Sequence, residues 1–221
     1  MVDRTYGVSQ SGARSVEAHK VLRNTYMLLA MTLLFSAVTA GVAMSMGIQR
    51  MNIFVFFIGA YGLMFLVHKT ANSAAGLLAT FAFTGFMGFT LGPILSAYLT
   101  LSNGPQLIMT ALGMTAVTFA GLSAVALITR KDFSFLSNFI MAGAIVLILA
   151  MVVAMIFNIS GLALAVSAGF VLFASAVILY ETSQVIHGGQ DNYILATISL
   201  YVAIYNLFIS LLSILGLSSS D

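Results

Sequence analysis

Long apolar runs separated by very short polar breaks fill the chain from about residue 25 to residue 216. The breaks are Gln49-Arg50, His68-Lys69-Thr70, Ser102-Asn103-Gly104-Pro105, Arg130-Lys131-Asp132, Asn158-Ile159-Ser160-Gly161 and Gly188-Gly189-Gln190-Asp191-Asn192. The runs they delimit are 25–47, 51–68, 74–99, 105–129, 134–157, 162–187 and 193–216. Each is long enough for a hydrocarbon core about 30 Å thick, which takes ~20 residues of helix. Backbone polar groups in lipid must be satisfied within the protein, which a helix does alone. The pattern therefore predicts an all-α fold, an integral membrane bundle of seven transmembrane helices. Breaks this short make consecutive helices antiparallel neighbours and leave no room for a soluble domain.

Three parts follow: a polar arm at 1–23, a transmembrane domain at 24–217 and a short tail at 218–221. The early arm, rich in Ser and Gly, reads as mobile, and the first helix is expected to begin no earlier than Ser15. The first apolar segment exceeds the ~7–15 residues of a cleavable signal core, so it is expected to stay as an anchor.

Composition agrees with this pattern and narrows the chemistry. The chain is 61% hydrophobic and 6% charged, against about 25% charged in a soluble domain. A net charge of +2 from scattered positives makes nucleic acid an improbable partner. The absence of cysteine excludes disulfides, thiolate metal sites and a cysteine nucleophile. No HExxH, GxSxG or P-loop is present, and a single intramembrane acid cannot form an aspartyl dyad. The residues thus predict neither catalysis nor a metal or cofactor site.

Lys and Arg set the orientation. Arg4, Arg14, Lys20 and Arg23 lie in the arm, Lys69 in the second break, and Arg130 and Lys131 in the fourth, whereas Arg50 stands alone on the opposite side. Seven against one places the N-terminus in the cytoplasm and, with seven spans, the C-terminal tail outside.

Glu181 is the one acidic side chain that hydropathy places within a span. A charge at a helix centre costs on the order of 2.5–3.5 kcal/mol on insertion scales, less near an end, so such a residue is a functional candidate by default. Its carboxyl favours the neutral form in hydrocarbon unless a cation reaches it, which makes it a candidate titrating gate. His68 and Lys69, at the matching depth in span 2, are the candidate cations. His187, six residues on, points away from Glu181 and reads as an interface residue. In span 7, Ser199, Ala203, Asn206, Ser210 and Ser213 follow a 4-3-4-3 spacing and share one helix face, with Tyr201 and Tyr205 on another. In span 6, Ser167, Ala174 and Glu181 are seven apart and also share a face. These two faces are expected to meet, either through ordinary interhelical hydrogen bonds or as a polar, partly hydrated path. In span 3, Thr80, Thr84, Gly88 and Gly92 recur every four residues, with Gly88 and Gly92 forming a GxxxG, a spacing that favours close helix packing. Pro93 removes a backbone donor and should kink the helix there, so this segment is either a packing seam or a hinge.

The blocks FAFTGFMGFTLGPIL (81–95), RKDFSFL (130–136), ILYETSQVIH (178–187) and SLYVAIYNLFISLLSILG (199–216), together with HKVLRNTY (19–26), resemble the Bax inhibitor-one family, the transmembrane BAX-inhibitor-motif proteins. The resemblance runs from about residue 19 through essentially all of the chain. It implies a seven-helix bundle with a central last helix. Some members are pH-sensitive calcium leak channels in which an acid in span 6 faces an aspartate in span 7 and a basic residue ends span 2. Glu181 occupies the first position, Ala203 stands where the second acid would be, and His68 or Lys69 falls at the basic one. With half of the carboxylate pair missing, divalent cations and protons should be held less strongly than by two acids. Certain bacterial members are instead associated with the inner-membrane ATP-dependent protease FtsH, as substrate and modulator. That association implies a non-enzymatic protein whose partners are the lipid bilayer and the FtsH complex.

Overall fold

The computed structural model describes residues 5–48 and 51–218, with side chains given from Glu17 onward in the first helix. Arg4, Arg50, the side chain of Arg14 and tail residues 219–221, all used in the topology argument, lie outside the described residues.

Seven helices follow one another: α1 (Thr5–Ser45), α2 (Ile53–Thr70), α3 (Ala74–Leu99), α4 (Gly104–Thr129), α5 (Leu136–Phe157), α6 (Ser160–His187) and α7 (Tyr193–Ser218). All seven are long and apolar enough to cross a membrane. Their limits fall within two residues of the sequence-based spans, except at the start of α1. There the helix is continuous from Thr5, about ten residues before the expected start at Ser15. Nothing between Thr5 and Glu17 is Pro, and once the apolar part of α1 nucleates a helix, extending it costs little per residue. At 1.5 Å per residue a helix of 41 residues is roughly 60 Å long. The stretch Glu17–Ser45 is long and apolar enough to cross a membrane, and the helix continues N-terminal to it as far as Thr5.

The helix ends have local causes. Asn52 caps α2 by accepting the Phe54 amide at 2.9 Å. Asn192 caps α7 by accepting the amides of Ile194 at 2.9 Å and Leu195 at 3.2 Å. Gly188 ends α6 in the left-handed conformation, φ 74°, which glycine adopts without a Cβ penalty. Helix α3 remains continuous through Pro93.

Helix α7 is the axis of the bundle. It packs against α6, α1, α4, α3 and α2, and it buries Ile194, Ile198, Leu200, Tyr201, Leu207 and Leu212 almost completely. This agrees with the central last helix that the family resemblance implies. Helices α2 and α5 are peripheral and turn large apolar side chains such as Phe65 and Phe139 outward, as lipid-facing helices do.

The GxxxG of α3 lies in its seam with α1, the most extensively packed helix pair in the bundle. A Cβ at Gly88 would fall on the Ser36 carbonyl oxygen and lie 2.6 Å from the Ser36 Cα; one at Gly92 would lie 2.5 Å from the Ala43 Cβ. These glycines let two backbones touch, which is the packing-seam alternative for this segment. Thr80 and Thr84 donate their hydroxyls to the carbonyls one turn back, of Gly76 at 2.8 Å and Thr80 at 2.9 Å.

Candidate functional site

The two small, polar faces expected to meet do so. Helices α6 and α7 pack along their length, and Ser167 Oγ donates to Ser213 Oγ at 3.2 Å. Two heptads away, Ser199 is the polar neighbour of the Glu181 carboxyl. Both pairs fit one unbroken antiparallel register of α6 against α7. That register sets Asn206 opposite Ala174 and Ala203 opposite Val177, one turn along from Ser199. Small side chains on α6 thus face the polar stripe of α7. Asn206 is half-buried, and its side chain forms no hydrogen bond among the described residues. Ala203 is buried.

Glu181 is half-buried near the end of α6 that carries His187, with Ser199 as its polar neighbour. No cation pairs with it among the described residues. His68 and Lys69 are exposed in the last turn of α2, where the His68 Nδ1 lies 2.9 Å from the Met64 carbonyl. No Cα of α2 approaches within 8 Å of α6 among the described residues. The structure therefore brings Glu181 to the α7 stripe and keeps it apart from His68 and Lys69. No group of three or more His, Asp or Glu converges as a metal site among the described residues. What the seam can do chemically is hold and release one proton, beside hydroxyl groups that can relay it.

The other side of α7 is tied by tyrosines. Tyr201, about 1% exposed, donates its hydroxyl to the Thr84 carbonyl at 3.1 Å and lies 2.6 Å from Ser36 Oγ. Because the single phenolic proton is committed to Thr84, Ser36 must be the donor in the second bond. One turn on, Thr90 donates to the Met87 carbonyl at 2.7 Å, leaving Tyr205 to donate to Thr90 Oγ1 at 3.0 Å. Tyr201 and Ser36 join α1, α3 and α7 at one point, and sequence reasoning did not single out either as a junction. Intramembrane tyrosines usually read as headgroup-level anchors; the signal available was the placement of Tyr201 at mid-span.

A second set of ties closes the end of the bundle nearest the arm. Ser183 accepts the Phe133 amide at 3.0 Å and donates to the Lys131 carbonyl at 3.2 Å. The two ring nitrogens of His187 face carbonyl oxygens, Nδ1 that of Ser183 at 2.9 Å and Nε2 that of Arg130 at 3.1 Å. His187 is thus an interface residue that fastens the α4–α5 loop to α6. In that loop Asp132 accepts the Ser134 amide at 2.8 Å. Hydrogen bonds from Ser134, and more weakly the nearby His187, hold its carboxyl below the usual range. Asn192 ties the α6–α7 loop to the α2–α3 loop through the Ala71 carbonyl at 3.1 Å and Asn72 at 2.7 Å.

Known proteins resemble this chain along its length. The family model for the inhibitor of apoptosis-promoting Bax1 matches residues 18–220. A Pseudomonas aeruginosa protein of uncharacterised role is 58% identical over the whole of both chains. The Escherichia coli K12 protein named modulator of FtsH protease YccA is 49% identical over 220 residues, again the whole of both chains. A Vibrio cholerae membrane protein is 46% identical over 94% of each chain. With its seven membrane helices, its central α7 and a match that leaves out little beyond the arm, the chain belongs to the Bax1 inhibitor family.

Proposed function

We propose that this chain is a non-catalytic protein of the bacterial inner membrane that binds the ATP-dependent protease FtsH and modulates it, and is itself within the protease's reach as a substrate. The observation that carries the reading is full-length likeness, without gaps in coverage, to a protein named for that role. The arm supports it physically. A helix continued well past the apolar span offers a handle outside the bilayer, and exposed terminal segments are where proteases engage. The topology that goes with this reading has the N-terminal arm in the cytoplasm and the C-terminus in the periplasm. Tagged protein should co-purify with FtsH from solubilised inner membranes. Deletion of residues 1–18 should abolish the co-purification, whereas Glu181→Gln should leave it intact. Equal recovery of FtsH with the deleted chain would refute the role given to the arm.

A second reading is favoured by the half-buried Glu181 beside Ser199: a pH-regulated calcium or cation leak with Glu181 as the titrating gate. Here Ala203 matters, because it stands one turn from Ser199 on the same stripe and supplies no second carboxylate. Liposomes loaded with a calcium dye should show pH-dependent flux across pH 6–8 that Glu181→Gln abolishes if this reading holds. Flux that appears only with Ala203→Asp would assign conduction to the paired acids and leave this chain, as it stands, closed.

A further inference from the structure

Helix α1 begins and helix α4 ends on the arm side of the bundle, yet they do not pack there. No Cα of one comes within 8 Å of the other among the described residues. Only side chains bridge the gap, the Tyr26 and Phe119 rings at 5.9 Å. What remains is a cleft of about 670 Å³ between the two helices, walled by Leu22, Tyr26 and Leu127 and rimmed by His19, Lys20 and Arg23. A smaller cavity of about 130 Å³ shares His19, Leu22 and Leu127 with it and extends it to Arg130 and Ile186.

The charges along this cleft have one sign. Glu17 and Asp191 line an adjoining cavity against α6 that shares Ala18 and Ile186 with the smaller one, and among the described residues no carboxylate lines the cleft or its extension itself. Lys20, Arg23 and Arg130 are exposed and form no ion pair among the described residues. Lys20 and Arg23 lie within one turn of α1. Arg130 is the left-handed C-cap of α4, φ 48°, and stands at the mouth rather than along the wall. Below the charges the lining turns apolar, with Leu22 and Leu127 on facing helices and the Tyr26 ring at the floor. The Tyr26 hydroxyl is turned inward to Thr182 at 3.4 Å. Cations above and hydrocarbon below, at the depth where a helix leaves the bilayer, match a phosphate ester that carries acyl chains. They fit a free anion poorly, because nothing in the lower half would recognise one.

We propose that the α1–α4 cleft is a binding site for an anionic phospholipid, its phosphate held by Lys20, Arg23 and Arg130 and an acyl chain laid against Leu22, Tyr26 and Leu127. The site takes lipid from the leaflet facing the arm, the cytoplasmic one on the topology above. The lipid fills the space that α1 and α4 leave unpacked, and so holds the arm end of α1 at a set distance from α4.

The test is native mass spectrometry of the full-length chain in detergent, titrated in parallel with phosphatidylglycerol, phosphatidylcholine of the same acyl chains, and inorganic phosphate. Phosphatidylglycerol should be retained in preference to phosphatidylcholine. A basic side chain near a membrane surface is worth roughly a five-fold change in affinity for anionic lipid, so K20Q/R23Q/R130Q should lower retention on the order of a hundred-fold. Lys69→Gln, an exposed cation on α2 that lines neither cavity, should change nothing. Leu127→Trp, which fills the apolar half while sparing the cations, should also weaken phosphatidylglycerol. Four results would each overturn the proposal: equal retention of the two lipids, an unaffected triple variant, an equal loss with Lys69→Gln, or displacement of lipid by millimolar phosphate.

Discussion

The contact between α1 and α3 permits a quantitative test at Gly92. An alanine there places its Cβ 2.5 Å from the Ala43 Cβ, 3.1 Å from the Ala40 carbonyl oxygen and 3.2 Å from the Met44 nitrogen. Carbon atoms prefer ~3.5–4.0 Å, so the helices must part locally by about 1 Å. The atoms struck are a short side chain and the backbone, none of which can swing aside. Overpacking of this kind costs ~1–3 kcal/mol, and the rigid partners argue for the upper part of that range. Alanine recovers about 1 kcal/mol over glycine in a helix, leaving a net loss near 2 kcal/mol. For a chain of this size ~2–4 °C accompanies each kcal/mol, so the melting temperature in detergent should fall by about 4–8 °C. Ala43→Gly removes the shortest contact, so it should cost stability in the wild type yet restore part of it to Gly92→Ala. Coupling between touching residues runs at ~0.5–3 kcal/mol. Gly113→Ala and Gly121→Ala, where an added Cβ meets nothing within 4 Å, serve as controls and should melt no lower than wild type. Thermal scans of the purified protein by circular dichroism give all these values. The steric account fails if Gly92→Ala melts with the controls, or if Ala43→Gly deepens its loss.

Other outcomes follow from the hydrogen-bond ties. Tyr201→Phe removes the proton donated to Thr84 and the acceptor of Ser36 at a site about 1% exposed. Buried groups left unpaired cost ~1–3 kcal/mol, while interhelical bonds measured in membranes average nearer ~0.6 kcal/mol. A loss of about 1–2 kcal/mol is expected, larger than for Ser36→Ala, which leaves the bond to Thr84 intact, and unfolding titrations of the two variants rank them. In the α4–α5 loop, Asp132→Ala should expose the Ser134 amide to hydrogen exchange, whereas Asp132→Asn, which keeps an accepting oxygen, should protect it. The depressed carboxyl of Asp132 contributes stability above the ordinary carboxylate value of about 3.9, and that contribution is lost as pH falls through its lower folded value. The protection factor at Ser134, the measured exchange rate set against the intrinsic rate at the same pH, should therefore fall only in strong acid and hold between pH 5 and 8. A periplasmically active reporter fused after Asp221 should be active, and activity only of a cytoplasmic reporter would reverse the proposed topology.

Seven spans and most helix limits were legible in the sequence because lipid imposes one strong rule, a run of apolar residues long enough to cross. The meeting of Ser167 and Glu181 with the α7 stripe was legible too, since a short turn and two matching periodicities leave few alternatives. Partner identity was less accessible. Gly88 and Gly92 announce close packing but carry no address, and only the three-dimensional arrangement names Ser36 and Ala43 as what they touch. His68 and Lys69 show the limit of depth as a guide: the right end of the bundle is not the right neighbour, because α2 packs on α3 and α7, away from α6. The start of α1 was misjudged for a local reason. Ser and Gly lower helix propensity in the arm, but a stable apolar helix directly downstream supplies the nucleus that an isolated segment would lack.

The central placement of α7 has a consequence for biogenesis. The ribosome delivers the helices in order, so the first six must enter the bilayer before the element that fills their middle exists. Until α7 arrives, Ser36, Thr84, Thr90 and Glu181 line a trough open to lipid or water without the tyrosine and serine groups that later satisfy them. A chain stalled or cut before Tyr193 lacks every partner that α7 supplies to these groups. Such a half-built form and the finished protein differ by a surface that a quality-control machine can read.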